Sequence, residues 1–359
     1  MRKELRRKTV LAKAAILCTV VAGLVVLEPT VLLARRRPLP RPKLEEVVRE
    51  LRSRLPQHTE GGAEIGIRTD PKSGELVQYS YDSAITYDAR LGNFLFIWTG
   101  IDGRRKTYTY EPRSKVDGVI SAAVDYDTRT RLLRYAYTVR SLPSSQQKLR
   151  SLSVETRAPV EDVKLPDSSW FSHSFSRNMK KYLEAQAGWG WVQSGNRRNG
   201  LLPGEQANGF SYLSAGLPTV VKCFIDGRTE ERELGEGLPG ALDIAKLEAQ
   251  WRIPQGVTVG PDNPPRPFSA AAFARQLAQY VSTSLDNGWI ESTQVGQQLR
   301  SALAELQGAI EKGEKPRAVK ILSELSARVE REKGKALLSE AYALLKFNLE
   351  FLRDKLAVK

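Results

Sequence analysis

The sequence predicts an α+β multidomain chain: an N-terminal membrane helix, an antiparallel β-sandwich and a C-terminal all-α helical bundle. Three observations carry that reading. An apolar run over residues 14–27 is bracketed by basic clusters, Arg2, Lys3, Arg6, Arg7 and Lys8 before it and Arg35, Arg36 and Arg37 after it. The middle of the chain alternates aromatic or β-branched residues with polar ones between Gly, Pro, Asp and Ser turns. The last region repeats apolar residues at the spacing of a helix face.

The apolar run of 14 residues makes about 21 Å of helix at ~1.5 Å per residue, short of a hydrocarbon core of roughly 30 Å. Extension back through Val10, Leu11 and a snorkelling Lys13, and forward to Val31, Leu32, Leu33 and Ala34, reaches spanning length with the charges near the interfaces. A signal-anchor fits that layout, and a cleaved signal peptide is the competing reading. Cleavage after Ala34 puts Leu32 where a small residue is wanted, whereas Val20 and Ala22 direct the cut into the apolar run itself. The anchor is therefore preferred. Cys18 follows Ile16 and Leu17 rather than the small residue that usually precedes a lipoprotein cysteine.

The chain has 359 residues and a net charge of +14, with 41% hydrophobic and 27% charged residues and a mean hydropathy of −0.37, enough for two compact domains beyond the anchor. The basic charge is unevenly placed. Residues 1–54 hold 14 Lys and Arg against 5 Asp and Glu, a net of +9, which leaves +5 for the other 305 residues. A topology signal attracted to anionic headgroups explains that asymmetry, and no nucleic-acid partner is expected. The two cysteines, Cys18 and Cys223, leave the body no internal disulfide framework, and Cys223 within Val220-Val221-Lys222-Cys223-Phe224 reads as a small buried strand residue.

Punctuation divides the chain into five parts. Residues 1–43 are the membrane anchor or signal segment with a Pro/Arg linker, and residues 44–60 are a juxtamembrane helix with Leu44, Val47, Val48, Leu51 and Leu55 on one face. Residues 61–253 are the sandwich-like domain: Val77, Tyr79 and Tyr81 alternate, residues 94–98 form a buried run, and Leu133, Tyr135, Tyr137 and Val139 share one strand face. Residues 254–267 are a Pro-rich linker. Residues 268–359 are a four-helix bundle with stripes Phe273, Leu277, Tyr280, Val281, Leu285; Leu299, Leu303, Leu306, Ile310; Ala318, Ile321, Leu322, Leu325, Val329; and Leu337, Leu338, Ala341, Leu344, Leu345, Asn348, Leu352. Turns are expected at Asn287-Gly288, Gly313 and Gly334, and the charged residues of the outer faces are read as solvated.

Residues 132–139, the turn Leu142-Pro143-Ser144-Ser145-Gln146, the motif Gly188-Trp189-Gly190-Trp191, and Leu202-Pro203-Gly204 leading through Gly209-Phe210-Ser211 to Ser214-Ala215-Gly216-Leu217-Pro218 together resemble a β-sandwich module of exported bacterial proteins. The gap containing Trp170 and His173 departs from its compact form. Gly288-Trp289-Ile290, Gly313 with Ala318, Val329 through Gly334-Lys335, and residues 341–345 with Asn348 and Leu352 resemble the FIMAH-type helical module of bacterial extracellular proteins, over about residues 268–356. Residues 323–329 depart from that module's phenylalanine-containing stretch. Both resemblances imply scaffolding outside the cytoplasm. They orient the chain with its bulk exported, periplasmic or extracellular, where six basic residues before the span against five shortly after it leave the direction open.

Chemistry is sparse. Only His58 and His173 occur, and neither a phosphate-binding loop nor a dinucleotide fingerprint is present, so no catalytic, cofactor-binding or metal residue is assigned and no cofactor is expected. Asp125-Tyr126-Asp127 has oxygen ligands for calcium, but a polar hairpin turn is the preferred reading. Trp170, Trp189, Trp191 and Tyr212 have the flat rings of a carbohydrate or peptide groove, with core packing preferred for Trp189 and Trp191. The expectation is a membrane-anchored envelope protein that is not an enzyme, with a protein or carbohydrate partner at the cell surface. The alternative is an exported carboxylate-dependent glycan or peptide hydrolase.

Overall fold

Alternation decides the centre of the molecule. In the strand Leu132–Ser141, Leu133, Tyr135, Tyr137 and Val139 are all buried, as a period of two requires when one sheet face meets a core. The computed structural model describes residues 65–69, 76–80, 83–88, 90–99, 104–112, 114–175, 186–191, 200–227 and 255–357. The expected membrane segment and juxtamembrane helix lie outside the described residues. Among the described residues no helix is long and apolar enough to cross a membrane.

The strands are β1 (Ile65–Thr69), β2 (Leu76–Ser80), β3 (Ser83–Asp88), β4 (Asn93–Thr99), β5 (Arg105–Tyr110), β6 (Gly118–Asp127), β7 (Leu132–Ser141), β8 (Leu149–Glu155), β9 (Glu161–Lys164), β10 (Trp170–Phe175), β11 (Gln186–Trp191), β12 (Gln206–Ser214), β13 (Leu217–Gly227) and β14 (Gln255–Asp262). β1 pairs with β2, and β3, β4 and β5 form a meander. The main body has a four-stranded sheet, β6-β7-β12-β9, and a five-stranded sheet, β10-β11-β8-β13-β14, with every ladder antiparallel.

Tyrosines join the two sheets. The Tyr137 hydroxyl on β7 donates to the Val259 carbonyl on β14 at 2.9 Å and lies 2.6 Å from the Tyr212 hydroxyl on β12. Tyr135 donates to the Gly216 carbonyl at 2.8 Å, and Trp170 on β10 meets Phe210 on β12 edge-on at 4.7 Å. Pro203-Gly204 makes the tight turn into β12, with Gly204 at φ 89° and the Glu205 N–H donating to the Leu202 carbonyl.

The stretch 254–267, expected to be a Pro-rich linker, is corrected: most of it is β14, paired with β13 from Leu217↔Asp262 to Phe224↔Gln255. Val257, Thr258 and Val259 are β-branched and suit a pleated surface. Pro261 is tolerated because β14 lies at the sheet edge, where a missing N–H breaks no inner ladder.

Four helices follow: α1 (Ala270–Asp286), α2 (Thr293–Glu311), α3 (Lys315–Glu332) and α4 (Ser339–Ala357). Ser269 and Ser292 cap α1 and α2 by accepting from Ala272 N and Val295 N. Gly288, Gly313 and Gly334 turn the chain between them at φ 69°, 72° and 68°. Each helix packs on two others, and α4 also packs on β6, β13 and β14. Its buried residues therefore surround it, including Glu340, Tyr342, Ala343 and Leu349 beyond the predicted stripe. The helices are not an independent bundle beyond a linker, because sheets and helices share one continuous apolar core.

Candidate functional site

The groups that sequence reasoning weighed are taken up in the interior. Trp170 and Tyr212 are buried in the core between the sheets, so neither can line an open groove. The backbones of Trp189 and Trp191 run in β11 beside β8 and β10, while their side chains, like that of His173, lie outside what the structure describes. His58 also falls outside the described residues. The Cys223 thiol on β13 is fully buried, and burial pushes it up to about 12, which leaves it protonated and inert.

Asp127 closes the β6–β7 hairpin. Its carboxylate accepts from the Arg129 and Thr130 amides at 2.9 and 3.1 Å and pairs with Arg134 at 2.5 Å. The Thr130 amide, with Arg134 and the Arg129 amide, holds its pKa below the usual carboxylate range. These contacts support the hairpin reading of Asp125-Tyr126-Asp127. Among the described residues no group of three or more His, Cys, Asp and Glu stands together as a metal site.

Two buried carboxylates emerge instead, and both join elements. Glu155, at the end of β8 and 2% exposed, receives Arg157 Nε at 2.7 Å and the Lys222 amide of β13 at 3.1 Å. Arg157 also approaches Asp262 of β14 at 3.8 Å, where partial burial raises the Asp262 carboxyl against the pull of that guanidinium. Glu340, in the first turn of α4 and 0% exposed, accepts the Ala122 amide of β6 at 2.7 Å. Two further contacts join helices to strands: Asn348 Nδ2 donates to the Pro218 carbonyl at 2.8 Å, and the Tyr280 and Thr219 hydroxyls lie 2.8 Å apart.

Sequence reasoning treated the helix charges as solvated and missed Glu340. One signal was available: Ala341-Tyr342-Ala343-Leu344-Leu345 leaves the first turns of α4 without a polar face, and a helical stretch apolar all round is enclosed. On the side of the sheets opposite α4, β9 and β10 are the edge strands. Val163, Leu165 and Phe171 are exposed there, the last at 45%. These three are half of the exposed large apolar side chains among the described residues, the others being Leu91, Tyr126 and Val319.

No family model matches the chain, and no curated protein matches it. Among solved structures it is similar to an uncharacterized protein from Nocardia farcinica whose crystal structure reveals an immunoglobulin-like fold. The identity is 12%, over 39% of this chain and 96% of that one, with a TM-score of 0.21. That likeness is too slight to carry an argument. The class defined by the described residues is therefore structural: antiparallel β-sheets with a docked C-terminal four-helix region.

Proposed function

We propose that this chain is a single-pass, membrane-tethered protein of the bacterial envelope whose exported body holds a partner rather than transforming a substrate. In this reading the facing sheets are a β-sandwich module and the helices a FIMAH-type unit welded to it. The observation that carries the proposal is the use made of the buried acids. Glu155 and Glu340 spend oxygens on backbone amides and a guanidinium of neighbouring segments, which makes them cross-links between elements. The exposed run through Val163, Leu165 and Phe171 is the face offered to a protein or carbohydrate at the cell surface.

Fractionation with protease shaving of intact cells tests the reading. Full-length chain in the membrane fraction and loss of the body on shaving are expected, or a shortened chain outside the cytoplasm if the leader is cleaved. Full-length chain in the lysate supernatant, or a turnover abolished by removing one acidic side chain, overturns it.

A further inference from the structure

Edge strands expose unpaired backbone groups, and this body treats its edges unequally. β9 is short and charged, its register on β12 is broken between Ser211 and Leu213, and Asp162 sits at φ 51°. Those features blunt it against further pairing. β6, the opposite edge of the same sheet, is long and regular, with its charges confined to Asp125 and Asp127 at its end. It runs 10 residues in unbroken register with β7, from Gly118↔Ser141 to Asp127↔Leu132, and residues 118–124 contain neither a charge nor a proline. A regular edge with an uncharged stretch over residues 118–124 is a template for another strand.

What covers β6 is α4. The Ala122 N–H points off the outer side of the strand and is taken by Glu340 Oε1, with α4 packed along β6 and anchored to β13 through Asn348. We propose that the C-terminal helical unit is an edge guard, and that release of α4 lets β6 pair antiparallel with β6 of a second copy of this chain. A second copy is the occupant because the segment is self-complementary. A register centred on Ala122 sets Ala122 against Ala122, Ser121 against Ala123, Ile120 against Val124 and Val119 against Asp125, and no like charges are opposed over residues 118–126. In that register the amide now held by Glu340 is returned to a strand carbonyl. The inference stands whether or not the chain is tethered to a membrane.

The test uses the full chain in mild detergent, comparing wild type, Glu340→Ala with Asn348→Ala, and Glu340→Gln, which keeps an acceptor oxygen. Amide exchange at Ala122 and mass by sedimentation are the readouts. The double variant is expected to exchange at Ala122 at least ~10-fold faster at low concentration and to gain mass relative to wild type as concentration rises. Glu340→Gln stays like wild type, and Ala123→Lys added to the double variant reverses the association. Unchanged exchange, fast exchange without added mass, or association that survives Ala123→Lys overturns the proposal. If the double variant does not fold, Glu340→Ala alone is read by the same criteria.

Discussion

Tyr137 shows how much a single hydroxyl does in this interior: it links β7 to β14 through the Val259 carbonyl and to β12 through Tyr212. Tyr137→Phe keeps the ring and strands those two partners in an apolar core, so it is expected to cost about 1–3 kcal/mol, read as a lower urea midpoint at unchanged slope. Burial also raises the phenols of Tyr135, Tyr137 and Tyr212 above their ordinary 10.0 and the Cys223 thiol from 9.0 to about 12. These groups are neutral when folded and ionise more readily unfolded. Their contribution is therefore fully present below pH 9.0 and is lost as pH rises through the folded values. The contribution of these groups is expected to be constant near neutrality and stability to fall above pH 9.0, read as loss of near-ultraviolet dichroism. Near-ultraviolet dichroism that persists unchanged well above pH 10.0 would show that these phenols do not limit stability. The β7 tyrosines were legible as core from their alternation, but nothing in the spacing identified Tyr212 or Val259 as their partners.

At the scale of elements, local chemistry and packing separate cleanly. The glycine turns are local. Gly334 has φ 68° and open space around the position of a Cβ, so Gly334→Ala meets only backbone strain and is expected to cost about 1 kcal/mol. Gly216 is the opposite case: an added Cβ would lie 2.5 Å from Ala158 Cβ and 2.9 Å from Pro261 Cβ. Gly216→Ala is therefore expected to be the more damaging of the two, by ~1–3 kcal/mol through overpacking, and thermal melts of both variants compare them directly. The four helical stripes were readable because 3.6-residue periodicity is a property of each helix alone. β14 was not, since Pro261 and the prolines flanking the strand resemble those of a linker until β13 is seen beside it.

Across the whole molecule, α4 is the element on which sheets and helices meet, through Glu340, Asn348 and a shared apolar core. The two regions are expected to unfold together. Asn348→Ala, which removes a buried donor from the Pro218 carbonyl, should lower the stability of both by about 1–3 kcal/mol. Hydrogen exchange resolved between β12 and α2 reads this, and helices that melt while the strands stay protected would show two separate units. The sequence by itself determined the strand-rich middle, the four helices, their turns and the buried Cys223, because periodicity, turn residues and β-branching act within a few positions along the chain. Only the tertiary structure decided that the helices dock on the sheet edge, that residues 255–262 are a strand and that Glu340 is enclosed. Those outcomes depend on groups far apart in the chain, from the β13–β14 ladder to the Ala122 amide and the Glu340 carboxylate, whose meeting no local pattern encodes.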